Sequence, residues 1–286
     1  TLFRSNPSAL FIAAGILGLL GLVPGMPHAV FLFLGASAAG VGLWLVDRSN
    51  KEKVASEPKG PVVAQPFPRF REAGAAANYN RAPLDGSRPA IYWINLKDNG
   101  DWPKYSLPAL TYHEGVPGHH LQNSYSQLSG DLPMLLRNMF LSAYGEGWAL
   151  YAEQLADELG AYNGIERAGY LQSFLFRAAR LVVDTGIHHK RWSREQATDY
   201  MVATTGFARP RSQREVERYC TQIGQACSYK IGHMAWVKQR EKAQAALGDK
   251  FSLPWFHEVL KDGVMPLSMF EARIDERVKQ RLAMKG

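Results

Sequence analysis

The hydrophobic and polar positions divide the chain into two parts with different patterns. The first part carries no Asp, Glu, Lys or Arg from residue 5 to residue 46, and Pro24–Pro27 interrupts it as a tight turn. The apolar runs on either side of that turn each approach the roughly 17–25 residues that a helix needs to cross a bilayer. Glycines in both runs would let two such helices pack closely. The pattern therefore predicts a two-helix transmembrane hairpin over residues 1–46.

Two other structures would suit the same apolar segment, a buried core hairpin and a secretory signal. A small-residue cleavage pattern begins at Ala36, but the apolar region before it is too long and too interrupted for a signal peptide. For a membrane hairpin, Arg4 on one side and Arg48 and Lys51 on the other place both ends in the cytoplasm. We therefore expect a membrane anchor with the following domain on the cytoplasmic side, or a soluble protein if the N-terminal segment is foreign to it.

A linker and then helical periodicity follow the hairpin. Residues 47–66 combine charged residues, three prolines and little periodicity, which indicates a linker. Residues 67–286 are predicted to form one domain of mainly α structure. Helical patterns occur there at about 106–127, 133–159 and 164–184.

Capping patterns and one strand complete the predicted elements. Serine with Gln or Glu three residues later, as in a capping box, predicts helix starts at Ser193, Ser212 and Ser268. Residues 90–95 are β-branched and aromatic between turn signals, which predicts one short strand. We expect it to be an edge strand, on which an extended peptide substrate could pair.

Composition and charge exclude several classes of protein. Of the 286 residues, 46% are hydrophobic and 21% are charged, which excludes a disordered or fibrous chain. Two cysteines, Cys220 and Cys227, lie too far apart along a helix to bridge each other. The net charge of +7 could suggest nucleic acid, but the 33 basic residues are scattered among 26 acidic ones. We therefore expect no nucleic-acid partner.

The candidate chemistry lies in the segment His113–Gln122, which reads HEGVPGHHLQ. A zinc hydrolase needs neutral imidazoles to hold the metal, a carboxylate to take a proton from water, and an open coordination position. In an H-E-x-x-H helix the histidines are four residues apart on one face, whereas here the second histidine is displaced. On a regular helix His120, seven residues on, would lie nearly over His113. The Pro-Gly pair disrupts a regular helix, and a widened turn would instead bring His119 to the metal. The spacing alone leaves these two histidines as alternatives.

A third ligand is expected from a later segment that reads YGEGWALYAE. Glu146 lies there between two glycines, which are poor helix formers and would permit close backbone approach to a metal site. Glu153 shares its face and could orient a histidine from outside the ligand set. A glutamate on an amphipathic helix is usually solvated, however, and H-E pairs also arise by chance. These residues alone leave both interpretations open.

A side chain that stabilises an oxyanion would have to come from outside the metal helix. Tyr219 and Tyr229 lie in one late helical pattern, and we favour Tyr229 for this role. The alternative is that both rings pack in a core. His233 and His257 have no partner in the sequence and are interpreted as structural.

The two motifs together resemble a large bacterial family that is catalogued as a domain of unknown function and regarded as zinc-metallopeptidase-like, in the style of the gluzincin peptidases. The likeness runs from about residue 66 to the C-terminus and includes SRPAIYWINL and RYCTQIGQACSYKIGHMAW. It implies a helical gluzincin-like fold that binds zinc and hydrolyses peptides. It also implies His113, His119 and Glu146 as metal ligands and Glu114 as the general base, with His120 outside the ligand set.

Members of that family are typically about twice as long, so the resemblance implies that residues 67–286 are the C-terminal half of an incomplete domain. The hairpin resembles a different family. The string LLGLVPGMPH is similar to a membrane segment of the flagellar and type III secretion export-gate family. We therefore interpret the chain as a chimera of two families.

Two functions follow as expectations. The first is zinc-dependent peptide hydrolysis, in which Glu114 is the general base and Tyr229 a further catalytic residue. The alternative is a non-enzymatic fragment of a membrane export apparatus, fused to an inactive fragment of a metal-binding peptidase. The sequence indicates neither the preferred substrate nor an oligomeric state.

Overall fold

A computed structural model describes residues 60–72, 77–129 and 132–284, together with three single positions of the N-terminal segment. The chain divides into two units, and the fold described here belongs to the second, Pro58–Gly286. Apart from those three positions, the predicted hairpin over residues 1–46 lies outside the described residues. Within the described ranges, no helix combines the length and apolarity of a membrane span.

Three short strands form a small mixed sheet ahead of the helices. They are β1 (Val62–Pro66), β2 (Asn78–Asn80) and β3 (Ala90–Ile94), in the order β1-β3-β2. β1 pairs with β3 in parallel, and β2 pairs with it in antiparallel orientation. The strand that the sequence predicts is therefore the central one, and the prediction of an edge strand is wrong. Because both sides of β3 are already paired, it is not available to a peptide substrate.

β1 also corrects the predicted linker, since it lies inside residues 47–66. Its side chains are partly buried at one end and exposed at the other, so it lacks the alternation of buried positions that marks a strand in a sequence. It forms because a distant segment, β3, offers a partner. The last residues of the predicted linker therefore belong to the sheet.

Helices make up most of this unit, which confirms the mainly α prediction. In chain order the α-helices of the described residues are α1 (Leu107–Glu114), α2 (His119–Leu128), α3 (Met134–Asn138), α4 (Ser142–Glu158), α5 (Glu166–His188), α6 (Arg194–Thr205), α7 (Arg209–Thr221), α8 (Gln225–Leu247), α9 (Leu253–His257) and α10 (Leu267–Ala283). Short 3₁₀ helices lie at Arg69–Arg71, Asn99–Asp101, Lys104–Ser106, Gly248–Lys250 and Glu258–Asp262.

The first predicted helix, at about 106–127, is two helices in the structure. The turn between α1 and α2 contains a cis Val116–Pro117 peptide bond. A Cβ at Gly118 would overlap the His113 carbonyl, so glycine is needed at this position. The helix stops at Glu114 and starts again at His119. The His120 N–H donates to the Gly115 carbonyl at 3.1 Å, five residues back instead of four, so the turn between the two helices is widened as the sequence suggested.

One of the three predicted capping boxes is present. The Ser193 side chain accepts from the backbone N–H of Gln196, whose own side chain accepts from the backbone N–H of Ser193. Ser212 and Ser268 instead lie inside α7 and α10, both of which begin next to a proline. Proline fixes its own φ at a helical value and has no N–H to satisfy, so it starts these helices without a serine cap.

The main aromatic core lies where α4 crosses α8. Trp148 of α4 and Trp236 of α8 are fully buried, with ring centres 4.9 Å apart. A second core joins α5, α6 and α7 around Met201 and Val216. The crossing of α4 and α8 places the helix that carries Glu146 directly against the helix that carries Tyr229.

Candidate metal centre

Three side chains from three helices converge at one buried point. His113 lies in the last turn of α1, His119 in the first turn of α2, and Glu146 in the first half of α4. Glu146 Oε2 lies 3.5 Å from His113 Nε2 and 3.2 Å from His119 Nε2. One potential ligand atom from each residue lies within 4.8 Å of the others. We call His113, His119 and Glu146 the His–His–Glu cluster.

The indole N–H of Trp148 ties the α1–α2 turn to α4. It lies 2.9 Å from the carbonyl oxygen of Pro117 and 3.1 Å from that of Gly118. Trp148 is two residues after Glu146, so one helix holds both the carboxylate and the turn that precedes His119. The break between α1 and α2 thus brings His119 to the carboxylate.

A second carboxylate orients His113 from outside the cluster. Glu153 is completely buried, and its Oε1 accepts from His113 Nδ1 at 2.8 Å, so Nε2 is directed at Glu146. The other oxygen of Glu153 accepts from the Ser173 hydroxyl at 2.5 Å. A buried carboxylate behind a histidine is the usual support of a metal-ligating imidazole.

His120 points away from the cluster. Its Nε2 donates to the carbonyl of Gly60 at 3.3 Å, which leaves Nδ1 to accept from the Tyr79 hydroxyl at 3.0 Å. Both ring nitrogens are therefore engaged with the segment that carries the sheet. Of the two alternative histidines, the structure brings only His119 to His113 and Glu146.

Glu114 and Tyr229 line the same cavity as the cluster, which has a volume of about 1060 Å³. Burial raises the pKa of Glu114 above its ordinary value. The Tyr229 ring stacks on the His113 ring with centres 6.1 Å apart, and its hydroxyl accepts from Gln225 at 3.1 Å. That hydroxyl keeps its own hydrogen available for donation.

Tyr219 lies on a different helix from Tyr229, contrary to the sequence pattern. It belongs to α7, and a left-handed Gly224 with φ of 77° separates that helix from α8. The Tyr219 hydroxyl donates to the Glu215 carboxylate at 3.0 Å. The two tyrosines therefore have different environments, and of the two only Tyr229 stacks on His113.

Burial and hydrogen bonding act in opposite directions on the cluster. Burial alone would lower the pKa of His113, but hydrogen bonds to Glu146 and Glu153 outweigh it and raise this pKa to about 9. Burial would raise the pKa of Glu146, yet hydrogen bonds from His113 and His119 hold it well below its usual range. Glu146 therefore stays ionised, which is the form of a carboxylate that ligates a metal.

Seven arginines line the cavity, and five of them, which no sequence motif marks, lie on α5 and α7: Arg177, Arg180, Arg211, Arg214 and Arg218. Arg177 and Arg180 are buried, although arginine on an amphipathic helix usually faces solvent, so pattern alone does not predict their burial. One signal does exist. Arg177 and Arg180 are three residues apart, and they alternate with the buried Phe176 and Ala179 on one face of α5.

The family match gives the class of protein to which this mainly helical chain belongs. Residues 45–274 match the family described as bacterial protein of unknown function (DUF885), and the chain belongs to that family. Residues 1–76 match the FHIPEP family. Both resemblances that the sequence motifs carry are thereby confirmed at the level of these families, and the combination supports a chimera.

Two relatives that are flagellar biosynthesis proteins match a short part of the chain, its FHIPEP-like N-terminal segment. The chain is 46% identical over 61 residues to the flagellar biosynthesis protein FlhA of Escherichia coli (strain K12). This match covers 21% of this chain and 8% of that protein. It is 53% identical over 49 residues to FlhA of Proteus mirabilis, covering 17% and 7% of the two chains.

Two solved structures share the fold. One is a "putative lipoprotein" from Colwellia psychrerythraea, 35% identical with a TM-score of 0.76, and the match covers 96% of this chain and 53% of that one. The other, a "putative lipoprotein of unknown function" from Shewanella oneidensis, is 20% identical with a TM-score of 0.64 over 96% and 56% of the two chains. The chain thus spans about half the length of the solved structures that it matches.

Proposed function

We propose that the second unit is a zinc-dependent peptide hydrolase. The observation that carries this proposal is the convergence of the His–His–Glu cluster with Glu114 in one cavity. Two imidazole nitrogens and one carboxylate oxygen are the donor set of a catalytic zinc site, which keeps a further position open. Glu153, which accepts from His113, supplies the outer support that such sites have. The residues of this chain therefore fit a zinc ion.

The surrounding side chains have separate roles in this proposal. A zinc ion held by the cluster would supply a Lewis acid that polarises a carbonyl and activates water. Glu114 follows His113 directly in the chain and lines the cavity, which supports its role in this proposal as the base that would take a proton from water and deliver it to the leaving amine. Tyr229 lines the same cavity, and in this proposal its hydroxyl would donate to the oxygen of the attacked carbonyl.

The alternative is a non-enzymatic protein, in which an export-apparatus segment is joined to an inactive metal-binding fragment. The N-terminal match to FlhA and the half-length match to the solved structures favour it. A cleft that is completed by residues outside this chain would bind metal without cleaving peptides. Metal binding alone therefore does not separate the two functions.

The test measures zinc content and peptide hydrolysis on the same sample of the full chain, purified without chelator. If the proposed hydrolysis is correct, the unmodified chain binds one zinc ion and His113→Ala loses it. Glu114→Gln keeps its zinc but cleaves no peptide, since the general base is not a zinc ligand. Zinc with no cleavage of any peptide would favour the alternative. No zinc in the unmodified chain would contradict both the cofactor and the reaction.

We also propose that the N-terminal segment attaches the protein to a membrane. The uncharged stretch from residue 5 to residue 46 supports this, together with the FHIPEP match. An embedded hairpin requires detergent for extraction. Release of the full chain from membranes by high salt or alkaline carbonate alone would contradict it.

A further inference from the structure

A group of arginines lies beside the His–His–Glu cluster with too few carboxylates to neutralise it. We call Arg177, Arg180, Arg211, Arg214 and Arg218 the arginine wall. Glu215 is shared between Arg180, at 2.8 Å, and Arg218, at 3.0 Å. Asp101 pairs with Arg214. Glu153 lies 3.7 Å from Arg177 but is already bonded to His113.

The arginine wall is also short of hydrogen-bond acceptors. Arg177 Nε, Arg180 Nη1 and Arg218 Nε are buried with no acceptor among the described residues. Arg180 is 4% exposed, so its unmatched donor is not compensated by bulk water. A cavity wall that is built from charged donors and lacks acceptors suits an anion.

Arg211 is the cation of this wall that has no carboxylate partner in the described part of the chain. Its hydrogen bond goes to the backbone carbonyl of Asp101 at 2.6 Å, and its guanidinium lies 3.6 Å from the centre of the Phe207 ring. Burial lowers its pKa to about 10, so it stays protonated at neutral pH. Its charge is thus left to attract a ligand.

The Tyr229 ring lies between Arg180 of the arginine wall and His113 of the His–His–Glu cluster. Its ring centre is 4.4 Å from the Arg180 guanidinium carbon and 6.1 Å from the His113 ring centre. The Arg180 guanidinium carbon and the His113 ring centre are therefore separated by at most 10.5 Å, which is the length of about three extended residues. Gln225 joins the two groups, since it donates to Glu146 at 3.3 Å and accepts from Arg218 at 3.0 Å.

We propose that the arginine wall binds a carboxylate of the peptide substrate, within about three residues of the cleaved bond. The inference rests on the proposed peptide hydrolysis and names its substrate class. Arginine presents a planar fork of N–H groups that matches a carboxylate. The Phe176 and Tyr229 rings lie 4.1 Å and 4.4 Å from the Arg180 guanidinium carbon, so aromatic packing fixes the position of the fork. A free C-terminal carboxylate bound here would direct cleavage to short C-terminal pieces.

Equilibrium binding tests this independently of turnover. Fluorescently labelled tetra-alanine, as the free acid and as the C-terminal amide, is titrated by anisotropy into the full chain carrying Glu114→Gln, and into the unmodified chain with chelator present. We expect the acid to bind about tenfold more tightly than the amide, as one charge-assisted contact provides. A further pair of amides, with an internal Glu or Gln, shows whether a side-chain carboxylate is accepted equally.

Arg211→Gln should reduce the preference for the acid to less than about twofold, and it breaks no ion pair of the wall. Arg194→Gln is the matched control, because it removes the same charge from an exposed arginine of α6 that does not line the cavity. Equal affinity for the acid and the amide would overturn the inference. An equal loss of the acid preference in Arg211→Gln and Arg194→Gln would also overturn it, since general attraction of the acid to a chain of charge +7 would then explain the preference. A preference for the acid in a protein that cleaves nothing would instead contradict only the proposed hydrolysis.

Discussion

Gly147 and Gly232 face each other where α4 crosses α8, and a Cβ on either would overlap the backbone of the partner helix. This gives a different reason for the glycines around Glu146 from the one that the sequence suggested. Gly147 makes room for α8, and a Cβ at Gly145 would overlap the Phe140 ring. The close approach is between two helices, and it holds Glu146 beside the helix that carries Gln225 and Tyr229.

Replacing Gly232 by alanine should therefore destabilise the protein. Alanine in a helix interior is intrinsically more favourable than glycine by up to about 1 kcal/mol. The overlap here is with backbone atoms of α4, which cannot rotate away, and overpacking of this kind typically destabilises by about 1–3 kcal/mol. We expect the overlap to dominate and the thermal unfolding midpoint to fall. Met234→Ala, at an exposed position of the same helix, should leave the midpoint nearly unchanged. An unchanged midpoint in Gly232→Ala would mean that the helices separate freely.

The amino-acid sequence predicts the His–His–Glu cluster better than it predicts the sheet and the arginine wall around the cluster. His113 and Glu146 are marked by residue type and by glycines or prolines nearby, which are local features. The pairing of β1 with β3 and the burial of Arg180 depend on partners distant in the chain. A single sequence without alignment carries no signal for such contacts.

The choice between His119 and His120 shows the same limit at short range. Helical geometry alone leaves them as alternatives, because the outcome depends on a widened turn that Gly118 permits and Trp148 holds by hydrogen bonds. Resemblance to the metallopeptidase-like family favoured His119, and the structure brings that residue to His113. Its role as a metal ligand stays a prediction.

Glu153→Gln should weaken zinc binding without abolishing it. The carboxylate accepts from His113 Nδ1 at 2.8 Å, and an amide in its place is neutral and makes a weaker bond. Loss of such an outer partner typically lowers metal affinity by about 10- to 100-fold. Competition with a chromogenic chelator measures the zinc dissociation constant. Glu158→Gln, on an exposed part of the same helix, is the control, and equal affinity in both variants would argue against Glu153 as the support of His113.

His233 should make folding stability depend on pH below neutrality. Its Nε2 donates to Gln154 at 2.7 Å and its Nδ1 accepts from Lys230 at 3.2 Å, so the ring is held neutral. Burial, aided by the Lys230 charge, lowers its pKa to about 3, whereas an unfolded histidine has a pKa of about 6.5. Between these values the unfolded chain binds the extra proton, so stability is lost as pH falls through this range.

We expect His233 to contribute a slope of up to about 1.4 kcal/mol per pH unit across that window. Urea unfolding at several pH values measures the slope, and His233→Gln should make it shallower. The exposed His189→Gln is the matched control and should leave the slope as it is. A slope that His189→Gln reduces as much as His233→Gln would refute the assignment to the buried ring.

The two adjacent histidines of α2 should differ sharply as zinc ligands. His119 Nε2 lies 3.2 Å from Glu146 Oε2, whereas both nitrogens of His120 are occupied by Tyr79 and Gly60. His119→Ala leaves two ligands, fewer than the three of a catalytic site, so zinc affinity should fall by well over the roughly 100-fold upper range for an outer residue. His120→Ala should lower the unfolding midpoint, because the Tyr79 hydroxyl loses its buried acceptor, and should leave zinc affinity within about tenfold. The two dissociation constants are measured side by side by chelator competition. A larger loss for His120→Ala would mean that His120 reaches the metal and that the turn held by Trp148 rearranges when zinc binds.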